Sequence, residues 1–139
     1  METLKHDTLH DLEHGTPALF IWSARALPAL LGAQFFLAGQ ALFGEMSWDL
    51  HGLVGAIVGL PVLVLAGGAI ALPRLRGFGW WAGLTLILYV AQVGLAMADT
   101  GALAFHPFNG ALLLTSAIVM LAKVERRRRI TADIPRNPK

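Results

Sequence analysis

Charged side chains fall in clusters that leave four long apolar stretches between them. No Asp, Glu, Lys or Arg occurs from Ala26 to Gly44, Gly52 to Leu72, Gly77 to Ala98, or Thr100 to Ala122. At ~1.5 Å rise per residue, each run is long enough to cross roughly 30 Å of hydrocarbon. The pattern predicts transmembrane helices over about 17–44, 48–72, 78–98 and 101–123. Local signals agree. Gly15 can end a short N-terminal helix, Thr16 can cap the next, Pro17 suits a first helical turn, and Ser47 can cap the second span. Pro28 and Pro61 lie inside spans and are expected to kink them.

The predicted fold is all-α: an up-down-up-down transmembrane four-helix bundle occupying 16–124. A segment 1–15 precedes it and a basic tail 125–139 follows. Composition supports this class, since 55% of the 139 residues are apolar and only 14% are charged, too few to cover a soluble globule. METLKHDTLHDLEH lacks the basic start and apolar core of a signal peptide, so insertion is expected to use the spans themselves.

Charge gives the chain a direction. Arg25, the Arg74 and Arg76 loop, and Lys123 with Arg126, Arg127, Arg128 and Arg129 all belong to one side. Glu45, Asp49 and Asp99 occupy the loops of the other, which carry no Lys or Arg. Basic loops stay inside, so both termini are expected in the cytoplasm of a bacterium, with the bundle in the inner membrane. Trp22, Trp80 and Trp81 suit an inner aromatic belt and Trp48 the outer interface. The arginine run reads as a topology anchor in the headgroups, with attraction of anionic lipid or an acidic partner the alternative.

An internal repeat carries the candidate chemistry. AQFFLAG at 33–39 is echoed by AQVGLAM at 91–97, and HGLVG from His51 by HPFNG from His106. His51 and His106 are 55 positions apart, as are Gly55 and Gly110; Gln34 and Gln92 are 58 apart. The chain therefore reads as a duplicated helical hairpin. Spans two and four run in the same direction, so the histidines are expected at one depth near the outer face, converging across a pseudo-twofold axis along the membrane normal.

Two neutral imidazoles facing each other in a four-helix core are the axial ligand set of a b-type haem. Gly55 and Gly110 could leave room for a porphyrin, and the positive end of each helix dipole favours the neutral ligand form. With no cysteine, covalent c-type attachment is excluded. The alternative is that the histidines are interfacial or capping groups, with Pro107 making His106 a helix start, and that the glycines let helices approach.

Gln34 and Gln92 lie inside spans, where an unpaired amide is costly. They are expected to hydrogen-bond between helices, or to contact a cofactor, a quinone or a histidine's second nitrogen. Asn109 and Tyr89 are further candidates. His6, His10 and His14 recur every four residues and could line one face of a short helix, with metal binding or a solvated interfacial helix as the readings.

QFFLAG, the acidic loop leading into LHGLVG, and FHPFNG resemble a family of short four-span bacterial membrane proteins of unassigned function, from about Ala26 to Lys123. More loosely, the chain is similar to the four-helix halves of haem A synthase and to di-haem b-type membrane cytochromes. Those relatives imply haem b, electron transfer and often a quinone, and only His51 and His106 match axial-ligand positions. Metal ligation is thus expected at His51 and His106, with Gly55, Gly110, Gln34 and Gln92 lining the cofactor.

The resulting expectation is one-electron transfer, with a quinone or a redox protein as partner and lipid around the bundle. A homo-oligomer or a larger membrane complex is compatible with it. The rival is a non-catalytic accessory or assembly subunit, followed by a transporter or channel, for which mid-span charges are lacking. Ser116 and Thr115 have no nearby base, so no hydrolase is indicated, and nothing points to nucleic acid.

Overall fold

A computed structural model describes residues 8, 9 and 11–133. Among these the fold is all-helical, and four helices are long and apolar enough to cross a membrane. Helix α1 spans Ala18–Phe43 and α2 spans Trp48–Ala71. A 3-10 turn over Pro73–Phe78 leads into α3, Gly79–Ala96. A single short turn, α4 (Thr100–Leu103), precedes α5, His106–Asp133.

The long helices form a ring in which α1 packs on α2, α2 on α3, α3 on α5, and α5 back on α1. Neighbours are antiparallel, so α2 and α5 are parallel and stand on one diagonal. Both described ends of the chain meet at the same end of the bundle, here the terminal end; the 43–48 and 97–105 connections form the loop end.

The apolar core lies in the terminal half. Phe20, Ala24, Leu27 and Leu31 of α1 recur at helical spacing, as do Val58, Val62, Leu65 and Ala69 of α2 and Leu113, Ala117, Met120 and Val124 of α5. The 3-10 turn contributes Leu75 and Phe78, and Phe78 meets Phe20 with ring centroids 5.4 Å apart. Gly68 allows this contact, because a Cβ there would come within 2.8 Å of the Phe20 ring. Midway along the bundle a buried hydroxyl pair, Thr85 Oγ1 and Ser116 Oγ at 2.8 Å, links α3 to α5. Outward, large apolar side chains such as Phe36, Leu60, Leu63, Ile70, Ile87 and Val90 stay exposed, the surface a lipid bilayer solvates.

The fourth span differs from its sequence expectation at both ends. It is broken before His106, where Pro107 has no N–H to return to the Leu103 carbonyl one turn back. Asp99 caps the short turn instead, its Oδ1 accepting from Ala102 N at 3.1 Å. At the other end α5 does not stop near residue 123 but continues through the arginine run to Asp133, which is built from good helix formers.

Within that run Arg127 turns into the protein. It is fully buried, and its guanidinium donates to the carbonyls of Thr8 (2.9 Å), Asp11 (2.7 Å) and His14 (3.3 Å) and to Thr16 Oγ1 (3.2 Å). Thr16 therefore serves as an acceptor for Arg127 rather than as a cap, and Pro17 takes the capping position of α1. The expected N-terminal helix is absent among the described residues: Asp11 turns the chain at φ 54°, a left-handed conformation that a right-handed helix cannot continue. Ser47 occupies the capping position of α2, but its hydroxyl donates to Asp49 Oδ2.

Candidate functional site

The loop half of the bundle is built differently from the core. Its inward positions are Gln34 on α1, His51 and Gly55 on α2, Tyr89 and Gln92 on α3, and His106, Asn109 and Gly110 on α5. These polar groups take the places that Leu, Val and Ala fill nearer the terminal end. His51 sits in the first turn of α2, and His106 opens α5 because Pro107 sets the helix start there.

The two histidines do converge. Their ring centroids are 6.2 Å apart across the diagonal, with the planes inclined at 57°. Each is anchored through Nδ1 to the backbone carbonyl of the glutamine in the preceding span, His51 to Gln34 O at 3.2 Å and His106 to Gln92 O at 3.1 Å. A carbonyl can only accept, so each ring donates from Nδ1, and the neutral tautomer that fits this contact leaves Nε2 as the lone pair. Trp48 stands edge-on to His51 at 5.4 Å.

The glutamine amides behave differently in the two hairpins. Gln34 Nε2 donates to the His51 carbonyl at 3.0 Å. Gln92 Nε2 instead donates to His106 Nε2 at 2.9 Å, and its Oε1 accepts from Asn109 Nδ2 at 2.6 Å. Asn109 is buried and is held on its other side by the Leu88 carbonyl at 2.9 Å. Tyr89 crosses to α2, where its hydroxyl donates to the Gly55 carbonyl at 3.2 Å.

Gly55 and Gly110 open space that the glutamines enter. A Cβ at Gly110 would lie 3.2 Å from Gln92 Nε2 and 3.4 Å from Phe35 Cζ, and one at Gly55 would lie 3.7 Å from Gln34 Oε1. The sequence repeat located the histidines and glutamines. The role of Asn109 as the group that orients Gln92 was not evident from it, since the departure of HPFNG from HGLVG at that position carried no meaning without the geometry.

Two imidazoles are the donor set that a haem would take from the protein. His51 and His106, with ring centroids 6.2 Å apart, would be the residues to hold it, and the haem would supply one-electron chemistry there. A porphyrin brings its own equatorial nitrogens and asks only for two axial ligands. A bare ion would need more, and among the described residues no group of three or more His, Asp or Glu side chains is assembled to hold one. His14, the one described member of the N-terminal histidine series, is exposed and bonded through Nδ1 to Asp11 Oδ1 at 2.8 Å; His6 and His10 lie outside the described residues.

Fold and site together define a small multi-pass membrane bundle with a paired imidazole and amide cluster in one half. Residues 34–101 match the model of a family of unknown function, DUF6220, a stretch that includes Gln34, His51 and Gln92 and ends before His106. No curated protein and no solved structure matches the chain. The match agrees with the likeness to a family of unassigned function; the looser likeness to b-type cytochromes and haem A synthase has no counterpart in these comparisons.

Proposed function

We propose that the protein is a membrane cytochrome in which His51 and His106 are the axial ligands of one b-type haem. The observation that carries the reading is the pair of imidazoles on diagonal helices, 6.2 Å apart, each with Nδ1 tied to a backbone carbonyl. That tie is the usual arrangement behind a ligating histidine, because it fixes the ring plane and leaves Nε2 basic. When bound, the haem supplies reversible one-electron chemistry. The chain's own part is to fix the ligand rings through the Gln34 and Gln92 carbonyls and to leave space free of side chains at Gly55 and Gly110. The partner is a quinone or a redox protein.

The orientation belongs to the same proposal. Arg25, Arg74, Arg76, Lys123, Arg126, Arg128 and Arg129 all stand at the terminal end, so that end is read as cytoplasmic and the histidine half as the outer half of a bacterial inner membrane.

A second reading is favoured by one contact, the Gln92 amide on His106 Nε2. On this reading the cluster is a hydrogen-bonded packing device in an accessory subunit of a larger membrane complex, and the protein is colourless. The visible spectrum of detergent-purified protein, made with ample haem and recorded before and after dithionite, separates the two. Sharp reduced α and Soret bands at about one haem per chain, absent in both His51→Ala and His106→Ala, are expected. A folded, colourless wild-type protein would reject the cytochrome.

A further inference from the structure

The two histidines are positioned alike and guarded differently. His51 Nε2 has no hydrogen bond among the described residues, whereas His106 Nε2 accepts one from Gln92. We propose that Asn109 and Gln92 form a latch over His106, so that a metal centre engages His51 first and His106 only after the Gln92 amide swings away. This rests on the haem reading of the site.

The structure contains the second position of the latch. Gln34 shows where such an amide goes when it leaves its histidine's ring alone: to the backbone carbonyl of that same histidine, at 3.0 Å. Gln92 occupies the equivalent place in the second hairpin and makes the equivalent backbone contact to His106, so the same carbonyl is the natural alternative for it. What keeps it on the ring is Asn109. Its Nδ2 donates to both Gln92 Oε1 and the Leu88 carbonyl, which turns the amide so that Gln92 Nε2 faces His106.

The sequence explains why only one hairpin has a latch. The position equivalent to Asn109, three residues after His51, is Val54, which offers no donor. One difference within the repeat thus accounts for two amide poses. Such an asymmetry is useful in a site that must fill from one side, because the open imidazole captures the ligand and the latched one closes on it. Until then the latched nitrogen keeps the Gln92 amide as its donor.

The test exchanges the two positions in the full-length, detergent-purified, haem-free protein. Asn109→Val should free Gln92, and Val54→Asn should place a donor beside Gln34. Gln92→Met, which keeps length but removes the amide, is a second route to an open His106. In 15N-histidine NMR of the haem-free protein, the His106 Nε2 resonance should move toward that of His51 in Asn109→Val and Gln92→Met. The His51 resonance should move the other way in Val54→Asn.

In titrations with ferric haem followed at the Soret band, the two opening variants should bind about five- to tenfold more tightly than wild type, the equivalent of one hydrogen bond no longer broken on ligation, and Val54→Asn correspondingly more weakly. A folded Asn109→Val protein with an unmoved His106 resonance, or with unchanged or weaker haem binding beside a haem-binding wild type, overturns the latch and leaves the cytochrome standing. If no protein binds haem, the cytochrome reading falls, and the NMR comparison alone decides whether Asn109 and Gln92 hold His106.

Discussion

Arg127 and Thr8, 119 positions apart, are joined by a hydrogen bond of 2.9 Å from the guanidinium to the Thr8 carbonyl. The same side chain reaches Asp11, His14 and Thr16, so one arginine ties the N-terminal segment to the end of α5. Arg127→Met removes these donors while keeping most of the buried hydrocarbon. We expect a loss of about 2–4 kcal/mol, since bonds from a charged donor are worth about 1.5–3 each and are not additive. Hydrogen exchange should rise first in residues 11–17. A variant with unchanged exchange there and unchanged thermal stability in detergent would show that the contact is not holding the segment.

The neighbouring arginines should behave otherwise. Arg128 Nε lies 2.8 Å from Glu125 Oε2, one turn back, and Arg25 Nε lies 2.7 Å from Oε1 of the same carboxylate. All three side chains are partly exposed, so screening by water and salt limits what they contribute. Glu125→Gln is expected to cost at most about 1 kcal/mol. The cost should shrink further as ionic strength rises, and a large, salt-independent loss in thermal unfolding would contradict the exposed-pair reading.

The contrast between these arginines marks the limit of what was legible in the sequence. Four uncharged runs identify four spans because a bilayer permits few other solutions, and the offset repeat brings His51 and His106 to one level because α2 and α5 are parallel. Arg127 was invisible because its burial depends on a segment more than a hundred residues away, and nothing local distinguishes it from Arg126 or Arg128. Asn109 was hidden for a related reason. An Asn at the third place after a histidine gains its meaning only once α3 sets Gln92 and the Leu88 carbonyl beside it. Periodicity and charge are properties of one element, whereas these roles belong to pairs of elements.

Thr85 and Ser116 give a cleaner energetic test, since both hydroxyls are buried and bonded to each other. Thr85→Val leaves Ser116 Oγ without its partner and should cost about 1–3 kcal/mol. The double change Thr85→Val with Ser116→Ala removes both polar groups and should recover much of that loss, because neither atom is then left unsatisfied. Thermal unfolding of the four members of the cycle measures the coupling. Strictly additive costs would mean that the pair does not act as a unit.

Gly59 and Tyr89 define the boundary between the apolar core and the polar half. A Cβ at Gly59 would approach Tyr89 Oη to 2.7 Å and Cζ to 3.2 Å, so Gly59→Ala must push the phenol off its course toward the Gly55 carbonyl. The expected cost is about 1–3 kcal/mol, the range for overpacking a filled site. Tyr89→Phe alone should cost less, about 1 kcal/mol for one hydrogen bond, and should soften the effect of Gly59→Ala by removing the atom in closest conflict. Because α2 carries His51 two turns before Gly59, displacement of Tyr89 should also disturb the histidine pair. If the protein binds haem, Gly59→Ala should weaken that binding more than Tyr89→Phe does, and the double variant should fall between them. Equal haem affinities across all three would show that the histidine half is positioned independently of this contact.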